Sequence, residues 1–223
     1  MKEEILNEVL IIGITGGFGS GKSSVANIIK ESGYPVIFTD KLAKEILFND
    51  KNVKSRLIEK FGKNIYFDDG NPNTELISKF VFSDNDESKK NLNTLNSIVH
   101  PPVISEMIKE IEKMAALGFK TIFVESALIY EAGLDEGFDY IIDVDTKDDI
   151  KIDRLVRRTG LKPEQIQQRM NEQLSPQYKK EISDFVIENN TDIEALRKST
   201  GIILDIVTNL PKKDFAKKNF DNS

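Results

Sequence analysis

The sequence predicts an α/β fold, a three-layer sandwich in which a parallel sheet carries helices on both faces. Three observations carry this expectation. Short continuous apolar runs, rich in branched residues, recur along the chain and fit strands buried on both faces. Amphipathic helical stretches separate them, which is the alternation that produces parallel crossovers. At 223 residues the chain can bury a core of its own without a metal or disulfide staple.

Residues 9–14 (VLIIGI) form the first strand candidate, too short for a typical helix. Glycines follow at 16, 17, 19 and 21, then SSVANIIKES reads as a helix that Gly33 stops. Residues 35–38 (PVIF) make a second strand, ending at Thr39 and Asp40. From 41 to 117 the pattern is mostly helical. Its clearest part is the stripe Ile104, Met107, Ile108, Ile111, Met114 and Ala115, closed by Gly118. Residues 121–124 (TIFV) and 140–145 (YIIDVD) are two more buried strands. Thr146 with Asp149 reads as a capping box with Asp in place of the usual Glu or Gln. Pro163 and the Ser175-Pro176 pair each open a further helix, and 185–187 (FVI) is the last strand. Residues 8–208 thus make one domain, and 209–223 a polar C-terminal tail expected to fray from Pro211 onward.

Composition removes several classes of function. With 31 Lys and Arg against 37 Asp and Glu the net charge is −6, which argues against a general nucleic-acid binder but allows a local positive pocket. There is no cysteine, which excludes disulfides, zinc thiolates and thiol nucleophiles, and the lone His100 excludes sites needing several imidazoles. The N-terminal residues are acidic before their apolar run, the wrong order for a signal peptide. No apolar stretch approaches the roughly 18 residues of a membrane span. The expectation is a cytoplasmic protein, monomeric or weakly homo-oligomeric, with no membrane or nucleic-acid partner.

The chemistry is carried by Gly16-Gly17-Phe18-Gly19-Ser20-Gly21-Lys22-Ser23, which matches G-x-x-x-x-G-K-[ST] between a strand and a helix. A loop wrapped tightly round a phosphate has little room for side chains, so glycines are needed. Its backbone N–H groups point inward and the following helix adds its positive end. This context makes the fold of P-loop NTPase type and the ligand a nucleoside triphosphate. Gly16 to Ser24 form the cradle, Lys22 bridges the outer phosphates, and the Ser23 hydroxyl is the Mg²⁺ ligand. A regulatory GTPase would carry D-x-x-G and N-K-x-D. No glycine here has Asp three residues before it, and Asn-Lys never occurs. A small kinase fits better. Such enzymes close arginines over the transferring group. Arg154, Arg157 and Arg158 share one side of a helix, and Arg169 follows on the next. Asp40 is the candidate catalytic carboxylate, past the carboxyl end of a strand, or else the N-cap of the helix beginning at Lys41. Glu125 ends its strand with either a metal-side or a structural role, and His100 either caps a helix start or touches substrate.

From about Val9 to Val207 the chain resembles the dephospho-coenzyme A kinase family. GITGGFGSGKSSVA is similar to that family's GLTGGIGSGKSTVA, and GYPVIFTDKLAKEI to GxPVIDADxIAREL, with Asp40 on the family's catalytic aspartate. FGKNIYFDDG, FVF, IVHPPV and ESALIYEAG match further stretches in order. KIDRLVRRTGLKPEQIQQRMNEQ follows the pattern QxxRxxxRxG…Q, with Arg154, Arg158 and Gln173 on matching positions, and SDFVIENN resembles ADxVIxN. The resemblance implies transfer of the ATP γ-phosphoryl group to the 3′-hydroxyl of dephospho-coenzyme A. It makes Asp40, Lys22 and Arg154 the catalytic set, with Arg158 beside the phosphates and Asn189 near adenine. It implies that Thr15, Asp40, His100 and Leu128 meet the acceptor, that 41–117 holds it, and that 150–175 is an arginine-bearing lid. The chain departs from the family at Phe38, Thr39 and Ala127, lacks an arginine near Asn73 and Thr74, and has Lys151 for a lid glutamine.

Overall fold

The computed structural model describes residues 8–83 and 85–213. Five strands, β1 (Leu10–Thr15), β2 (Val36–Phe38), β3 (Thr121–Glu125), β4 (Tyr140–Asp145) and β5 (Phe185–Glu188), form one sheet in the order β2-β3-β1-β4-β5. All neighbours are parallel, with Ile12 opposite Phe123 and Tyr140, so β1 lies at the centre. Helices α1 (Lys22–Glu31), α2 (Thr39–Asn49), α3 (Lys51–Phe61), α4 (Thr74–Val81) and α5 (Asp86–Ala116) precede β3. Helices α6 (Asp148–Thr159), α7 (Pro163–Asn171), α8 (Pro176–Ile182) and α9 (Ile193–Val207) follow β4, with β5 between the last two.

The strand runs are apolar on both sides because both sides are covered. Ile12, Ile14, Ile142 and Val144 pack with Val25 and Ile29 of α1 and with Leu196 and Leu204 of α9. On the other face Ile122, Val124 and Ile141 meet Met107, Ile111 and Ala115 of α5. The helical stretch between β2 and β3 has a third core around Val53, Leu57, Ile65, Ile98 and Val99. The predicted stripe on α5 holds except at Ile108, which is 45% exposed and lies outside the buried seam.

Two expectations fail for physical reasons. Pro101 and Pro102 lie inside the 31-residue α5, so His100 caps no helix start. The helix continues through the prolines although the carbonyls of Ser97 and Ile98 lose their i+4 donors. The tail from Pro211 is bound as far as it is described. Pro211 O accepts from the Tyr140 hydroxyl at 2.8 Å, Lys212 Nζ donates to Val9 O at 2.9 Å, and Lys213 Nζ pairs with Asp184 at 2.5 Å. Asp139 and Asp184 accept the backbone N–H groups of Ile11 and Ile141, which closes the amino ends of β1 and β4. The rest of the predicted tail, 214–223, lies outside the described residues.

Candidate active site

At its carboxyl end β1 turns through the glycine-rich loop into α1. Gly19 and Gly21 show why glycine is needed there. Gly19 (φ 84°) would place a Cβ 2.6 Å from Leu155 Cδ1, and Gly21 (φ 92°) would place one 2.2 Å from Asn189 Nδ2. The loop is braced from outside. Ser20 O accepts from the Thr146 hydroxyl at 2.8 Å and from Asn189 Nδ2 at 2.9 Å, while Phe18 N donates to Gln173 Oε1 at 2.7 Å. Thr146 therefore does not cap α6, as the capping-box pattern suggested; Lys147 is the N-cap residue and makes no side-chain cap. The Thr146 hydroxyl is buried and also reaches Asn189 O at 3.1 Å. Asn189 has its amide committed to the loop, at the wall of a cavity of about 310 Å³ that it shares with Gly19, Gly21, Ser24 and Arg154.

At the head of α1 three groups meet. Glu125, at the end of β3 and 1% exposed, accepts from Ser23 Oγ at 3.1 Å, and Lys22 Nζ lies 3.7 Å from the same oxygen. Burial holds the Glu125 carboxyl above the usual carboxylate range; Lys22 pulls it down and the neighbouring Asp40 pushes it up again. Glu125 is the residue that sequence reasoning weighed too lightly. Its partner Ser23 lies 102 residues away, with Lys22 next to it, and no local pattern announces either.

Asp40 is the second residue of α2 and exposed, and Phe38 occupies the N-cap position, so the N-cap reading of Asp40 fails. It stands at the wall of an apolar cavity of about 230 Å³, with Thr39, His100, Ser126 and Leu128. His100 is half-buried, and burial lowers its pKa, which favours the neutral imidazole. Thr15 is not among the residues lining this cavity; it is fully buried at the end of β1, and its hydroxyl has no partner.

Of the arginines, Arg154 donates to Asn189 O and Thr191 O, each at 3.0 Å, and borders the same cavity as Arg158. Arg157 points elsewhere and pairs with Asp153 at 3.0 Å on the exposed side of α6. Arg169 lies between two rings, 5.8 Å from the centroid of Phe18 and 4.8 Å from that of Phe82. It thereby links α7, the glycine-rich loop and the end of α4.

The loop, a buried carboxylate beside its Lys and Ser, two flanking arginines and an exposed Asp over an apolar cavity suit phosphoryl transfer. Known proteins point the same way. The CoaE, dephospho-CoA kinase, family matches residues 10–195. The dephospho-CoA kinase of Corynebacterium efficiens is 31% identical over 91% of this chain and 100% of its own length. That of Carboxydothermus hydrogenoformans is 34% identical over 93% of this chain and 98% of its own. The crystal structure of TT1252 from Thermus thermophilus, 28% identical, superposes with a TM-score of 0.73, covering 89% of this chain and 98% of that one. The chain belongs to the dephospho-CoA kinase family and is an ATP-dependent kinase of the P-loop fold.

Proposed function

We propose that this protein transfers the γ-phosphoryl group of ATP to the 3′-hydroxyl of dephospho-coenzyme A, giving coenzyme A and ADP. The observation that carries the reading is the convergence of Lys22, Ser23 and Glu125 at the head of α1, with Asp40 close enough to act on the Glu125 charge. The loop N–H groups and Lys22 hold the β and γ phosphates. Asp40 orients the acceptor hydroxyl and takes its proton as the bond to phosphorus forms. Arg154 and Arg158 cover the phosphates and, with the 150–175 region as a lid, exclude water that would hydrolyse ATP. The helical region 41–117 and Leu128 hold the acceptor, its apolar portion in the 230 Å³ cavity beside His100.

A magnesium ion fits the donors present. Ser23 offers a hydroxyl oxygen with the Glu125 carboxylate behind it, a hard-oxygen set that phosphate oxygens and water complete. Among the described residues no group of three or more His, Asp or Glu side chains is gathered that could hold a metal ion. When bound, the ion neutralises charge on the β and γ oxygens. The reading includes a cytoplasmic monomer or weak homo-oligomer with no nucleic-acid or membrane partner. Among the described residues no helix is long and apolar enough to cross a membrane.

The test is coupled ADP release with ATP and Mg²⁺, with dephospho-coenzyme A, AMP, CMP or shikimate as acceptor. Stimulation by dephospho-coenzyme A alone supports the reading; stimulation by another acceptor, or by none, overturns it. Asp40→Asn should lower turnover on the order of 10²- to 10⁴-fold while ATP affinity is kept. Near-normal turnover would remove Asp40 from the mechanism.

A further inference from the structure

Lys151 is among the largest fully buried side chains of the protein, and the fold leads its ammonium to the glycine-rich loop. The side chain is 2% exposed, and Nζ pairs with Asp148 Oδ1 at 2.7 Å, a carboxylate that is itself 62% exposed. Nζ lies 3.7 Å from the point where a Cβ on Gly17 would sit, and Gln173 Oε1 lies 3.9 Å from the same point. Gln173 is occupied by the Phe18 N–H. Lys151 and Gly17 line one cavity of about 340 Å³, on the first half of the loop, whereas Arg154 and Arg158 border the second half with Gly19 and Gly21.

Burying an ammonium is costly unless it is paired and bonded. Asp148 takes one of its three donors, and that exposed carboxylate is well solvated, so the pair is partly screened on the Asp148 side while the ammonium itself is buried. The buried Asp143 feels that charge as well, together with those of Lys179 and Lys180. A fixed cation beside a phosphate-binding loop adds to the field at the phosphates that the loop holds, and in a poorly solvated site the field is weakly screened.

We infer that Lys151 is a positioning residue for the triphosphate, a cation set beneath Gly17 and Phe18 that strengthens binding in proportion to phosphate charge. This rests on the ATP-dependent kinase reading and is independent of which acceptor is used. The chain therefore places lysine, in reach of the loop, where the family resemblance has a neutral glutamine.

The experiment measures equilibrium binding of ATP, ADP and AMP, without acceptor, by calorimetry on the full-length protein, Lys151→Gln and Asp148→Asn. Lys151→Gln should weaken ATP on the order of 10- to 100-fold, ADP less, and AMP least. Asp148→Asn removes the competing carboxylate and should tighten ATP about 2- to 3-fold. A buried strut with no electrostatic role would weaken all three nucleotides alike, and that result overturns the inference. So does an Asp148→Asn protein that binds ATP no tighter than the parent, a measurement that stands even if Lys151→Gln fails to fold. Failure of dephospho-coenzyme A as acceptor would leave these affinities untouched, so the two ideas fail separately.

Discussion

Asp143 offers a stability test that is worked directly from its surroundings. It lies on β4 opposite Thr15 and Val186, 2% exposed. Burial pushes its carboxyl up, and the charge of Asp145 adds to this. Lys179, Lys180 and Lys151 pull it down, yet burial prevails and leaves it at about 6 against an ordinary 3.8. The folded state therefore holds this proton more tightly than the unfolded chain. Below about pH 4 both states are protonated and the burial costs nothing through ionisation. Between pH 4 and 6 the unfolded chain ionises first and the protein loses stability; above 6 the loss is constant. Roughly two pH units at about 1.4 kcal/mol each put that loss near 3 kcal/mol. Asp143→Asn removes the ionisation, so the variant should be more stable than the parent at pH 7.5, by up to about 3 kcal/mol. For a chain of this length that is roughly 6–12 °C in melting temperature. Near pH 3.5 the ionisation advantage should vanish. Urea titrations of both proteins from pH 3.5 to 8 measure it. A stability difference that stays flat across that range, or a variant less stable at pH 7.5, would refute the reasoning.

Two further outcomes follow from the site. Leu155→Ala removes the side chain that presses on Gly19 and should cost about 2–4 kcal/mol in chemical denaturation. Amide exchange in α6 should rise with it, and unchanged exchange would mean that Leu155 does not hold α6 to the loop. Glu125→Gln keeps the shape but removes a buried charge. Turnover should fall on the order of 10- to 100-fold, while the melting temperature near neutral pH holds or rises, because burial already holds this carboxyl above its ordinary pKa and outweighs the pull of Lys22. Loss of both together would make Glu125 a structural residue.

The strands were legible because each is a short branched apolar run, and the observed edges differ from the expected ones by a residue or so. The loop was legible because phosphate binding dictates glycine, lysine and serine at fixed spacing. What escaped was determined by contacts distant in sequence. Thr146 looked like a local cap, yet its hydroxyl serves Ser20, 126 residues earlier. Pro101 and Pro102 suggested a break, but a long helix packed on both the sheet and the helical region carries them internally. Lys151 stood out in the sequence only as a lysine in place of a lid glutamine, since nothing local reports that α6 turns it toward Gly17. Arg157 shares the spacing of Arg154 and Arg158, but a helix face is wider than the cavity it borders.

The closure at the amino ends of β1 and β4 divides the molecule into two poles. Asp139, Asp184, Lys212 and Lys213 seal one pole with their own charges, while the glycine-rich loop and its partners occupy the other, at the opposite ends of the same strands. Each central strand is thus anchored behind and left free to serve chemistry in front. Sequence change should be read differently at the two poles: at the anchored one it registers as how long the protein survives, at the open one as how fast it works.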